Sequence, residues 1–130
     1  MENISRKTIL IVDDEEPITD AYRCMLKQEF SGFDIFCFNE FDEAEKFIKK
    51  NLAKIAIALF DWRLDNNRLS RDLALQIRNT DVEKRVAILL LTGTPIDLFP
   101  EKTLALYDSV IIKPVERPVL IARIKEILKI

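Results

Sequence analysis

Histidine is absent from the 130 residues. That excludes Ser-His-Asp and Cys-His catalysis built from this chain alone, and any imidazole-ligated metal. Glycine occurs twice and proline five times, too sparsely for a flexible linker, a collagen repeat or a low-complexity tract. Two cysteines, Cys24 and Cys37, make no disulfide framework. Both stand in apolar-rich segments, so they are expected to be reduced and to fill small spaces in the core. The longest apolar runs are six residues, whereas a membrane-spanning helix needs about 20. The first seven residues lack the apolar core of a signal peptide, so a cytoplasmic location is expected. Basic excess is missing too. Lys and Arg number 20 against 22 Asp and Glu, net −2, which argues against direct nucleic-acid binding by this domain.

What remains is 48% hydrophobic and 32% charged, a balance that folds rather than one that stays disordered. The length suits one domain, taken as residues 1–130. Five apolar runs are spaced along it, at residues 9–12, 35–38, 55–60, 86–91 and 110–112. Most are continuous rather than alternating and several are rich in Ile and Val, as strands covered on both faces are. Amphipathic stretches separate them. Residues 17–30 carry Ile18, Ala21, Tyr22, Met25 and Leu26 at helical spacing, with Pro17 suited to the first turn. Residues 42–52 repeat the pattern, and Ser70 is a candidate N-cap for a helix over 71–79. Residues 116–128 form the last helix and 100–107 a shorter one. Strand followed by helix, five times over, predicts an α/β fold. Parallel strands with right-handed crossovers give a three-layer sandwich with helices on both faces.

Each strand that matters ends in a polar residue. The first run ends at Asp13-Asp14, the third at Asp61, the fourth at Thr92 and the fifth at Lys113. In a parallel sheet these positions share one edge, where ligands of open α/β sheets bind. Two carboxylates about 4 Å apart repel by roughly 4 kcal/mol at an effective dielectric of 20. Three of them need a cation, and Lys113 supplies one charge. A hard divalent ion with oxygen ligands, magnesium above all, fits this set, whereas zinc and copper want softer or imidazole ligands. An Asp beside a cation can also act as a nucleophile on phosphorus. Each residue has a plainer alternative: Asp13-Asp14 as charges at a helix N-terminus, Asp61 and Thr92 as turn residues, Lys113 as a solvated strand end.

Taken together, Ile9-Leu10-Ile11-Val12-Asp13-Asp14-Glu15, the strand-end Asp61, Leu91-Thr92-Gly93 and Lys113-Pro114 resemble the receiver domain of two-component response regulators. The resemblance runs from Thr8 to Leu128. It implies a flavodoxin-like sheet of five parallel strands in order 2-1-3-4-5. It implies that Asp61 accepts a phosphoryl group from a partner histidine kinase or phosphotransfer protein, and that Mg2+ sits on Asp14 and Asp61, with Asp13 reaching it through water and the Arg63 carbonyl as a further ligand. It implies that Thr92 and Lys113 contact the phosphate, that a cis peptide precedes Pro114, and that an output domain or partner protein reads the last strand and helix. Such a domain is a signalling phosphoacceptor rather than an enzyme acting on other molecules.

Two stretches depart from that pattern. The loop after Asp61 reads Trp62-Arg63-Leu64-Asp65-Asn66-Asn67-Arg68-Leu69-Ser70, without the Pro and Gly that similar receivers carry. Val110 stands where they usually hold a switching aromatic. A constitutive interaction module with impaired switching is therefore the competing reading. An Asp-nucleophile phosphohydrolase fits less well, because its second acid usually lies two residues after the nucleophile on the first strand. Here Asp13 and Asp14 are adjacent.

Overall fold

A computed structural model describes residues 6–81 and 83–130; the N-terminal stretch read above for a signal peptide lies outside them as far as residue 5. The elements are β1 (Thr8–Val12), α1 (Glu16–Glu29), β2 (Asp34–Phe38), α2 (Phe41–Asn51), β3 (Ile55–Asp61), α3 (Ser70–Thr80), β4 (Ala87–Thr92), α4 (Glu101–Leu104), β5 (Ser109–Ile112) and α5 (Arg117–Leu128). All pairings are parallel and the sheet order is β2-β1-β3-β4-β5. The order reverses between β1 and β3, which opens the crevice at their C-terminal ends.

The continuous apolar runs are explained by two cores. Leu10, Val12, Ala58, Phe60, Ile88 and Leu90 face one side with α2 and α3. Ile9, Ile11, Ile57, Leu59, Leu89 and Leu91 face the other with α1 and α5. Apart from Thr8, Asp61 and Thr92 at their ends, the positions of the central strands are thus apolar although successive side chains point oppositely. The edge strands differ. β2 is only partly covered, and Phe36 and Phe38 stack against Phe47 on its outer side.

Three local expectations need correction. Cys24 is exposed and Cys37 only partly buried, both as free thiols, because Cys24 lies on the outer side of α1 and Cys37 on an edge strand. Ser70 does not cap α3. It is the first residue of that helix, fully buried, with Oγ 2.9 Å from the Tyr107 hydroxyl. The stretch 100–107 forms only one turn of helix, after a short 3-10 turn at Ile96–Leu98.

The loop after Asp61 manages without glycine. Asn66 and Asn67 take the left-handed conformation, φ 55° and 59°, which Asn tolerates through its short polar side chain. Asp65 Oδ1 accepts the Phe41 N–H at 2.7 Å, satisfying a free donor at the start of α2. Arg68 pairs with Asp42 at 2.7 Å and lies 3.6 Å over the Phe41 ring. The loop is therefore stitched to α2 by side chains.

Candidate functional site at the carboxyl edge of the sheet

β1 and β3 deliver Asp13 and Asp61 to the same crevice, and Lys113 joins them. Its Nζ lies 3.2 Å from Asp61 Oδ1 and 3.4 Å from Asp13 Oδ2. Lys113 follows β5, its N–H donates to the Thr92 carbonyl at 2.8 Å, and a cis peptide leads into Pro114. Asp13 is 2% and Asp61 15% exposed at the side chain. The remaining Asp13 oxygen accepts the Glu15 N–H at 3.0 Å, and the Asp13 carbonyl accepts from Asn39 at 2.9 Å.

The charges do not balance. Burial pushes the Asp61 carboxyl up from its ordinary value, the Asp13 charge pushes the same way, and Lys113 and the Trp62 N–H pull it back without cancelling the rise. For Lys113 burial is the largest single influence and lowers its affinity for a proton. Asp61 and Asp13 together outweigh it, so the ammonium is held above its usual range. A further divalent cation would relieve Asp61. The donors suit a hard ion: oxygens of Asp13, Asp14 and Glu15 lie within 4.8 Å of one another, Asp13 buried and the other two exposed. Asp61 is not in that threesome; Lys113 links it to Asp13. The Arg63 carbonyl stays outside the bonds that close its bridge to Leu69, which use the Leu64 N–H and the Trp62 carbonyl. The residues present therefore fit magnesium.

No family model matches the chain. It is 30% identical over 122 residues to the phosphate regulon transcriptional regulatory protein PhoB of Rhizobium meliloti, a match covering 93% of this chain and 52% of that one. The chain thus spans about half the length of this curated relative. Among solved structures it superimposes on the signal receiver domain of a DNA-binding response regulator from Colwellia psychrerythraea with TM-score 0.82, at 18% identity, over 95% of this chain and 99% of that one. A response regulator receiver domain from Clostridium thermocellum gives 0.80 at 20% identity, over 95% and 94%. The fold is that of a response-regulator receiver domain. At these identities the structural likeness speaks for architecture, and the residues at the edge must speak for chemistry.

Within this fold, the positions read from the sequence divide into groups. Asp13, Asp61 and Lys113 touch. Asp14 lies beside Asp13 and is exposed. Thr92 ends β4 and is buried, but its Oγ1 accepts the Thr94 N–H at 3.0 Å and bonds neither carboxylate. The Arg63 side chain is exposed.

The site roles of Tyr22 and Asn39, and the main-chain bond of Trp62, escaped the sequence reading. Tyr22, read as an apolar helix position, is buried, and its phenol is sensitive to the site: burial raises its affinity for the proton, the Lys113 charge lowers it, and Asp13 and Asp61 raise it. Asn39 ties the end of β2 to Asp13 and to Thr19 Oγ1, the latter at 3.1 Å. Trp62 donates its N–H to Asp61 Oδ1 at 2.9 Å. A polar-tipped aromatic on an otherwise apolar helix face was the available signal for Tyr22. Asn39 depends on tertiary placement, whereas the Trp62 bond is a local one to its sequence neighbour.

Proposed function

We propose that the chain, taken over residues 1–130 as one receiver domain, is a phosphorylation-controlled signalling module in which Asp61 is the phosphoacceptor. The observation that carries this reading is the Lys113 ammonium set between the Asp61 and Asp13 carboxylates at the open edge of the sheet. An Asp with a free oxygen toward an open crevice can attack phosphorus in line. In the transfer, the P–N bond of a phosphohistidine breaks as the P–O bond to Asp61 forms. The electron pair stays on the departing imidazole, which takes up a proton. The chain has no histidine, so the donor is a histidine kinase or phosphotransfer protein in trans, or a small acyl phosphate.

Magnesium would be held by Asp13, Asp14 and Asp61 with the Arg63 carbonyl. It supplies charge neutralisation for the phosphoryl oxygens when bound. Lys113 holds one phosphoryl oxygen by a charge-assisted hydrogen bond. The Thr92 hydroxyl takes another after leaving the Thr94 N–H. Asp61 then carries a mixed anhydride that water can hydrolyse, so the domain assists its own dephosphorylation and is not an enzyme toward other molecules. An output domain or partner protein reads the result, without direct nucleic-acid contact by this domain. No helix among the described residues is long and apolar enough to cross a membrane; the cytoplasm, where kinases of this kind phosphorylate their receivers, is the proposed location.

Val110, aliphatic at β5 where an aromatic was expected, favours a second reading. In it the fold is a constitutive interaction module that no longer switches. Magnesium titration followed by the fluorescence of Trp62, the only tryptophan, separates the metal part of the proposal. The wild type should respond and Asp14→Ala respond weakly, whereas identical curves would remove Asp14 from the ligand set. Adding an acyl-phosphate donor with magnesium should then add one phosphoryl group by intact mass, and an unmodified chain would leave the constitutive reading standing.

A further inference from the structure

Asp61 is connected to both ends of α4 through a single residue, Trp62. The Trp62 N–H donates to Asp61 Oδ1 at 2.9 Å. Its indole stands edge-on to the Phe99 ring, with centroids 4.7 Å apart and planes at 89°. Phe99 lies two residues ahead of α4. The Trp62 carbonyl accepts the Ser70 N–H at 3.0 Å. Ser70 Oγ in turn shares a 2.9 Å hydrogen bond with the Tyr107 hydroxyl. Tyr107 lies three residues past α4, and its N–H donates to the Leu104 carbonyl at 3.1 Å. Both anchors, Phe99 and Tyr107, are buried.

Between the anchors, Thr103 is buried, Leu104 and Leu106 pack on the core and Arg78 donates to the Leu106 carbonyl at 3.0 Å, whereas the leading part of the segment is held loosely. α4 is four residues long and lacks a side-chain N-cap, and one helical turn is not stable by itself in water. The adjoining turn leaves Ile96 46% and Leu98 69% exposed, so few apolar contacts fix its position. The position of the leading turn therefore depends on what Phe99 packs against, and that of the far end on Tyr107 together with the core contacts of Thr103, Leu104 and Leu106. Thr92 and Thr94 lead by the main chain only to its leading end. The connection through Ser70 reaches its far end as well.

We infer that Trp62 is the positioning residue that carries the charge state of Asp61 to residues 96–107, through Phe99 at one end of α4 and through Ser70 and Tyr107 at the other. This rests on the reading of Asp61 as the carboxylate that is modified. A hydrogen bond to an ionised acceptor is roughly twice as strong as one between neutral groups. Converting the Asp61 carboxylate into an acyl phosphate removes the carboxylate charge that the Trp62 N–H bonds. The indole and the Trp62 carbonyl then relax together, and both anchors of α4 shift in concert. The surface that changes is the apolar step formed by Ile96 and Leu98. Val110 need take no part, so a receiver without an aromatic there can still signal.

The test needs no phosphoryl donor. Asp61→Asn keeps an oxygen acceptor for Trp62 and removes the charge. Amide hydrogen exchange of residues 96–107 is compared between wild type and Asp61→Asn, and then between the same pair in Trp62→Leu and Ser70→Ala backgrounds. The Asn substitution should change exchange there by about threefold or more in the otherwise wild-type chain. The change should shrink to within experimental scatter with Trp62→Leu, and clearly diminish over 104–107 with Ser70→Ala. Residues 41–51 of α2 serve as the control, because a merely structural role for Trp62 would alter both regions alike. If Trp62→Leu does not fold, Ser70→Ala alone decides. No effect of Asp61→Asn on 96–107, or an equal effect in the variant backgrounds, overturns the inference. The proposed phosphoacceptor role falls by a different result, absence of phosphoryl addition to the wild type.

Discussion

Replacing Tyr107 by Phe removes one hydroxyl and keeps the ring. In the wild type that hydroxyl lies 2.9 Å from Ser70 Oγ, and Ser70 is fully buried. Stranding the Ser70 hydroxyl should cost about 1–3 kcal/mol. Ser70→Ala should cost a comparable amount by stranding the phenol. The double variant strands nothing, so its loss should fall short of the sum by about 1 kcal/mol. A second consequence concerns pH. Burial pushes the Tyr107 phenol from 10.0 up to about 12, although the Ser70 bond and the Arg71 charge oppose it. With the folded value above the unfolded one, this contribution is full below pH 10 and drains away as pH rises toward 12. Two units at 1.36 kcal/mol each amount to about 2.7 kcal/mol. The assay is urea unfolding across that window for wild type and Tyr107→Phe. Tyr22, whose phenol is also raised, and the lysines titrate in both proteins and cancel in the difference. The wild-type advantage should shrink and then reverse as the alkaline limit approaches. Parallel losses in the two proteins, or single costs that simply add, would refute the reasoning.

Other outcomes follow from the same geometry. Because burial and Asp13 raise the Asp61 carboxyl, its ionisation works against folding, and Asp61→Asn should stabilise the metal-free protein at neutral pH. Screening by solvent at the partly open site keeps the gain on the order of 1 kcal/mol. It should vanish in acid below 3.8, the unperturbed value, and urea midpoints at the two pH values check both the sign and the loss. Asp65→Ala removes the acceptor of the Phe41 N–H and should cost about 1 kcal/mol, with faster amide exchange at the first turn of α2. Lys113→Met leaves Asp13 and Asp61 facing each other without the ammonium, so the Asp61 carboxyl should titrate higher still by carbon-13 NMR.

The parts legible in the sequence were those written in local pattern. Five short apolar runs located the strands, because the three central strands carry apolar residues on both faces. Residue type at the strand ends then located the crevice, since a parallel sheet brings those ends together whatever lies between them. Side-chain destinations set by distant partners were not legible. Ser70 reads as a helix cap until Tyr107, 37 residues later, meets its hydroxyl. Asp65 is only one residue of an atypical loop until it satisfies an amide of α2, 24 residues earlier. The loop after Asp61 looked deficient because Gly was sought where Asn66 and Asn67 supply the same backbone conformation. Cys24 and Cys37 were misplaced because residue type alone does not tell the outer side of a helix or an edge strand from the core.

The central claim is that Asp61 takes the phosphoryl group, and borohydride trapping addresses it most directly. The protein is incubated with magnesium and a small acyl-phosphate donor, then reduced with borohydride, which converts an aspartyl phosphate to homoserine. Peptide sequencing by mass spectrometry locates the change. The account predicts homoserine at position 61, dependent on both donor and magnesium, and none at Asp13 or Asp14. Homoserine at another carboxylate, or modification that persists in Asp61→Asn, would contradict it.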